Sequence, residues 1–196
     1  NDIVVTDVSN NDVVMDVVMD VSNDVVVTEN VVVTGVLTSP YVPLVYTDIS
    51  GTNQYTNVLL IDIAVTDYQT FVDSVNASTL PITYSVLSIK TDLLALLQTY
   101  FTAIPRIGIC FTANSGNTKG FLDNEPFFIE DETVPYSTNL QFILNIITEF
   151  QVKNIDYLAC DTLNYPNWKN YYDILLNATG VIVSASSDQT GNIKYG

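Results

Sequence analysis

Asn154-Ile-Asp-Tyr-Leu-Ala-Cys-Asp161 is a short apolar run that closes on a thiol and a carboxylate. Arg106-Ile-Gly-Ile-Cys-Phe-Thr-Ala-Asn-Ser-Gly116 is built alike, an apolar run that gives way to small polar residues. Together they read as two neighbouring parallel strands whose C-terminal ends share one site, the rim at which open α/β sheets place ligands and chemistry. Whether Cys160 has a base to work with is then the first question. The composition bears on it directly, because the chain contains no histidine.

Outward from these two runs, strand and helix patterns alternate. Val58-Leu-Leu-Ile-Asp-Ile63 is a near-continuous apolar strand, and Ile82-Thr-Tyr-Ser-Val-Leu87 is a second. Between them Asp67 is placed to cap a helix with Tyr68, Phe71, Val72 and Val75 on one face. Thr91 is expected to cap the next helix, which carries Leu93, Leu94, Leu96, Leu97 and Tyr100 and is closed off by Pro105. After the third strand, Ile107 to Phe111, the run Gly120 to Ile129 reads as a small hairpin turning at Asp123-Asn124. Thr138 and Gln141 are spaced as a capping box for a helix bearing Leu140, Phe142, Ile143, Ile146, Ile147 and Phe150. Strand four is Ile155 to Ala159, a helix from about Trp168 to Asn177 ends at Gly180, and Val181 to Ala185 is strand five. This alternation predicts an α/β fold over residues 58–196, a mostly parallel sheet with helices on both faces.

Residues 1–57 differ in character. Asn1-Asp-Ile-Val-Val-Thr, Asn11-Asp-Val-Val-Met-Asp and Asn23-Asp-Val-Val-Val-Thr are imperfect copies of one phrase, which signals a repeated structural unit. Valine and threonine favour strand and the Asn-Asp pairs punctuate, so the segment reads as a valine-rich β arm, with disorder the competing reading. Its valines need a partner: the arm itself, the globular part, or a neighbouring molecule to whose sheet edge it adds a strand. Thr38-Ser-Pro-Tyr-Val-Pro43 then reads as an extended connector and Ser50-Gly-Thr-Asn53 as a turn.

The chain carries 22 acidic residues against 6 basic ones, a net charge of -16. Such a surface repels phosphate backbones and anionic lipid, so nucleic-acid binding and membrane association are not expected. No apolar run approaches the ~18 residues of a membrane span, which predicts a soluble protein without membrane insertion. Asn1 is not preceded by an initiator Met or a leader, so a removed leader or a piece of a longer chain is expected. Cys110 and Cys160 make no disulfide framework and read as two inert core thiols, a cross-strand disulfide being the alternative. Asn76-Ala77-Ser78 and Asn177-Ala178-Thr179 match the glycosylation acceptor pattern, which is common by chance.

From about Val58 to Gly196 the order of elements resembles the caspase-like fold. It is similar, more closely, to an uncharacterised caspase-like domain found near the start of many very long bacterial surface and adhesin-type proteins. In that family the third strand runs into Ser-His-Gly, the fourth into Gly-Cys-Asp and the fifth into Ala-Ser-x-Asp-x-Thr-Gly. The matching stretches here are Phe111-Thr112-Ala113, Ala159-Cys160-Asp161 and Ser186-Ser187-Asp188-Gln189-Thr190-Gly191. The likeness is good at the second and third motifs and poor at the first. The family usually continues into Gly-Asp-Trp where this chain stops at Tyr195-Gly196, which reads as truncation.

The resemblance implies a cysteine nucleophile served by a histidine acting as general base and acid. That histidine position falls on Thr112, which accepts no proton near neutral pH. An unperturbed thiol, pKa ~8.5, is only a few per cent thiolate there, and Asp161 beside Cys160 is expected to raise rather than lower that value. The specificity arginines of caspases are missing as well, since Arg106 is the sole arginine and opens a strand. Thr112, Cys160 and Asp161 are therefore read as vestigial site positions on a domain that keeps the fold and has lost the chemistry.

Asp123 and Glu125 in the hairpin, with Glu130, Asp131 and Glu132 after it, are the candidate calcium ligands, against a solvated acidic loop. Asp7, Asp12, Asp16, Asp20 and Asp24 offer a second, weaker set. Tyr165, Trp168, Tyr171 and Tyr172 form an aromatic group read as helix–sheet packing rather than a sugar platform. No phosphate loop, hydrolase elbow, zinc spacing or dinucleotide fingerprint occurs. No cofactor is expected beyond possible calcium.

The function these readings predict is a non-catalytic structural protein, extracellular, at a cell surface or in a virion. It would self-assemble into a homo-oligomer or filament through its arm. The alternatives are the binding module of a secreted calcium-dependent adhesin and a cysteine peptidase-like enzyme using Cys160.

Overall fold

The computed structural model describes residues 3–5, 8–9, 13–14, 17–19, 25–26, 41–46, 55–113, 120–128 and 137–188. The chain forms two compact units that divide after Pro40. In the first, five short strands form two antiparallel groupings: β1 (Ile3–Val5), β2 (Val8–Ser9), β3 (Val13–Val14), β4 (Val17–Met19) and β5 (Val25–Val26). β4 lies between β1 and β5, and β2 pairs with β3.

The second unit holds a six-stranded sheet built from β6 (Val45–Tyr46), β7 (Asn57–Asp62), β8 (Thr79–Tyr84), β9 (Arg106–Cys110), β10 (Asn154–Leu158) and β11 (Ile182–Ala185). Its order is β11-β10-β9-β7-β8-β6, parallel throughout except for β6. Four helices connect the strands: α1 (Tyr68–Ser74), α2 (Lys90–Tyr100), α3 (Thr138–Glu149) and α4 (Pro166–Thr179). The expected α/β fold with a mostly parallel sheet and helices on both faces is what the chain forms.

The chain leaves β7 one way to reach β8 and returns past it to reach β9. Right-handed crossovers therefore put α1 on one face and α2, α3 and α4 on the other. Side chains follow the period of two along each strand. Val58, Leu60, Ile107, Ile109, Ile155 and Tyr157 are buried in the core with Leu93, Leu97, Leu140, Ile143, Trp168 and Tyr171. The opposite face carries Leu59, Gly108, Asp156 and Leu158, and the only described helix over it is α1, none of whose residues is fully buried. Tyr68, Phe71, Val72 and Val75 do share the inward side of α1, but only half-buried.

Local signals were displaced in four places. Strand two begins at Thr79 and stops at Tyr84, so it runs through Pro81 instead of starting after it. Ile63 N donates to Tyr84 O at 2.9 Å, so position 84 faces β7 and the alternate position 81 faces away from it. The missing N–H of Pro81 thus falls on the side where β6 pairs only with Ile82 and Thr83. Asp67 sits at the start of α1 in a left-handed conformation, φ 59°, and makes no side-chain cap. Thr91 does not cap α2, which begins one residue earlier; Asp123 Oδ1 accepts from Lys90 N at 3.4 Å. The cap of α3 is Ser137, whose Oγ accepts from Leu140 N at 3.0 Å, so Thr138 is already inside the helix.

Elsewhere the local chemistry matches the sequence. Asp123 and Asn124 both have positive φ, 55° and 57°, and Gly120 bridges Pro126 across the tight turn expected at Asp123-Asn124. Gly180 ends α4 at φ 72° with its N–H on Leu176 O at 2.7 Å. Residues 41–46, placed by sequence within the arm and connector of residues 1–57, join the sheet unit: Ser88 Oγ donates to Val42 O at 2.7 Å and Thr83 Oγ1 to Val45 O at 3.2 Å. Among the described residues no helix is long and apolar enough to cross a membrane.

Candidate functional site

The rim predicted from Ala159-Cys160-Asp161 and Phe111-Thr112-Ala113 exists as a neighbouring pair of strand ends. Leu158 of β10 is registered against Cys110 of β9, and Phe111 N donates to Leu158 O at 3.4 Å. Thr112 and Cys160 each lie two residues beyond that pair, Thr112 exposed and Cys160 half-buried. The third stretch, after β11, meets the second. Asp161 N donates to Asp188 O and Leu163 N to Ser186 O, both at 2.9 Å. Asp161 takes a left-handed conformation, φ 64°, and opens a short 3-10 turn, Thr162–Asn164.

Both carboxylates at this rim have near neighbours as donors. Asn164 Nδ2 donates to Asp161 Oδ1 and, at 2.8 Å, to Ser187 O. Ser186 Oγ donates to Asp188 Oδ1 at 2.5 Å and accepts from Asp188 N at 3.1 Å. Cys110 and Cys160 are not joined in a disulfide. Burial pushes the Cys110 thiol up to about 11, with Asp62 and Cys160 adding to the effect, so it stays protonated at neutral pH. Gln189, Thr190 and Gly191, which complete the third motif, lie outside the described residues.

Behind the rim stands an aromatic wall. Trp168, Tyr171 and Tyr172 of α4 are buried against Phe111, Phe127, Phe128 and Tyr157. Phe121 and Phe127 stack at 4.4 Å and Trp168 meets Phe128 edge-on at 4.9 Å. Tyr157 and Tyr171 share a hydroxyl–hydroxyl bond of 2.7 Å, and Tyr172 Oη donates to Thr162 Oγ1 at 2.8 Å. Buried rings offer no face to a sugar, so Trp168, Tyr171 and Tyr172 are core packing, with Tyr165 half-buried beside them.

The hairpin acids turn toward an ammonium. Lys90 Nζ lies 3.0 Å from Asp123 Oδ2 and 2.6 Å from Glu125 Oε2, and also donates to Thr138 Oγ1 at 2.9 Å. Asn139, fully buried, donates through Nδ2 to the carbonyls of Leu122, Glu125 and Pro126. Lys90 and Asn139 are the residues sequence reasoning missed. The polar Asn inside an apolar helix face was the available signal, since a buried amide needs partners. Glu130, Asp131 and Glu132, like Asp7, Asp12, Asp16, Asp20 and Asp24, lie outside the described residues. Among the described residues no three His, Cys, Asp or Glu side chains gather to hold a metal ion.

A second feature is the sheet face beside α1. Phe71, Asp156, Leu158, Ser184 and Ser186 line a cleft of about 330 Å³ there. It is continued by another of about 460 Å³ over Leu59, Gly108 and Arg106. Arg106 holds Asp156 through two bonds, Nε to Oδ2 at 2.5 Å and Nη2 to Oδ1 at 2.9 Å. Gly108 gives the floor its depth, since a Cβ there would stand 2.8 Å from Leu59 Cδ1. The chain matches no family model, no curated protein and no solved structure.

Proposed function

We propose that the chain is a non-catalytic structural subunit, a caspase-like domain without its acid–base residue, which assembles through its N-terminal arm with a neighbouring copy. An extracellular filament, a surface layer or a virus particle is the setting this reading implies. The observation that carries it is the outer edge of the sheet at β11, with which no described strand pairs and where Ile182 is 58% exposed beside Leu158 at 43%. An unpaired edge flanked by exposed apolar side chains is a template for strand addition. The rim at Thr112 and Cys160 supports the same reading from the chemical side, because the chain contains no histidine to serve the thiol as general base and acid.

Sedimentation velocity on the full chain tests the assembly. Oligomers well above the 21.6 kDa subunit are expected, and they should vanish when proline is placed in the arm strands by Val4→Pro, Val18→Pro and Val26→Pro together. A strictly monomeric wild-type chain at high concentration would end this reading. So would peptide-bond turnover that is lost on Cys160→Ala.

A further inference from the structure

We propose that the acceptor for the arm is the outer edge of β11, in a second copy of the chain. This rests on the assembly reading above and names the site it uses. Ile182 N donates inward to Lys153 O at 2.9 Å, in register with Asn154. In a parallel ladder alternate residues point their N–H and C=O to opposite sides, so Val183 and Ala185 present theirs outward. Among the described residues no strand pairs with that side. Ile182 and Ser184 project on the same face as Asp156 and Leu158, so a strand added at this edge also meets the apolar margin of the cleft.

Charge selects the occupant. Residues 1–40 contain seven acidic residues and no Lys or Arg. The four described cations of the chain are Lys90, Arg106, Lys153 and Lys169. Lys90 is paired with Asp123 and Glu125, whereas Arg106 and exposed Lys153 stand where β9 and β10 begin, level with Ile182. The guanidinium of Arg106 is 62% exposed although it also holds Asp156. An arm whose sequence is rich in valine and in acidic residues therefore finds outward backbone groups and apolar side chains at this edge, with Lys153 one strand in and Arg106 two. A second β11 offers no negative charge of its own there. Among the described residues β1 and β5, the outer strands of the arm's three-stranded sheet, each have one side that pairs with no strand.

The test is donor–acceptor complementation in full-length chains. Val183→Pro removes an outward N–H and leaves the Ile182–Lys153 bond in place, so it blocks the acceptor while keeping the arm. The triple arm-proline variant blocks the donor while keeping the edge. Each alone should sediment as a monomer, and a mixture of the two should form a 1:1 heterodimer. If Val183→Pro assembles like wild type while the arm-proline variant does not, the β11 assignment is overturned and the arm reading survives. If the arm-proline variant assembles but Val183→Pro does not, β11 pairs with β11 and both are overturned. Should Val183→Pro lose its native circular dichroism, Ile182→Glu with Lys153→Glu replaces it. Both of those positions are exposed, and the pair should lower association at least tenfold; unchanged association would refute the site.

Discussion

Raising the pH attacks this molecule through its buried phenols. Tyr84, Tyr157, Tyr171 and Tyr172 are all in the core, and burial above all pushes each well above the ordinary tyrosine value. The sign follows from proton counting. Above pH 10 the unfolded chain loses these protons while the folded chain keeps them, so stability is full below about 10 and falls as pH rises. Each such group contributes roughly 1–2 kcal/mol of lost stability per pH unit, so four of them remove about 6 kcal/mol at pH 11. Cys110, raised from 9 to about 11, begins the decline one unit earlier and adds about 2 kcal/mol. Against a total of about 5–15 kcal/mol for an ordinary domain, unfolding is expected between roughly pH 10.5 and 12. The assay is tyrosinate absorbance followed together with far-ultraviolet circular dichroism. A cooperative absorbance step from part of the twelve tyrosines should coincide with loss of the helical signal. Full ionisation of all twelve with the helical signal intact would refute the burial argument.

Three further outcomes are expected. Asn139→Ala should cost about 2–4 kcal/mol in urea titration, because three hairpin carbonyls lose their donor inside the fold. Arg106→Ala should cost about 1–2 kcal/mol, since Asp156 keeps a largely covered carboxylate while solvent screens the exposed partner; Asp156→Asn in the same chain should recover part of it. Ser137→Ala should lower stability by about 1–2 kcal/mol, and Gln141→Ala, the other half of the sequence-predicted box, by under about 0.5 kcal/mol, because Ser137 is the residue that caps α3.

The strand–helix order was legible because central strands such as β7, buried along most of their length, leave nearly continuous apolar runs. The long helix faces of Leu93 and Leu97, and of Leu140 and Ile143, repeat at the right spacing for the same reason. The adjacency of the strand ends that lead to Cys160 and Thr112 was legible too, since neighbouring parallel strands bring their ends together. What escaped was chemistry set by distant partners. Thr91 looked like a cap, yet the first amide of α2 turns to Asp123, 33 residues further on. Pro81 looked like a strand boundary, yet only the pairing of β8 with β7 shows that its missing N–H points away from β7. That α1 is the one described helix over the face of Gly108 and Asp156 was also hidden, because a strand's own residues do not record which helices will cover it.

The hairpin around Asp123 holds the first turn of α2 through Lys90 and the first turns of α3 through Thr138 and Asn139. Two helices far apart along the chain are thereby fastened at their beginnings by one loop of nine described residues. Opening either start means loosening the same clasp, so both should breathe in one event, with amide exchange there governed by a shared opening constant.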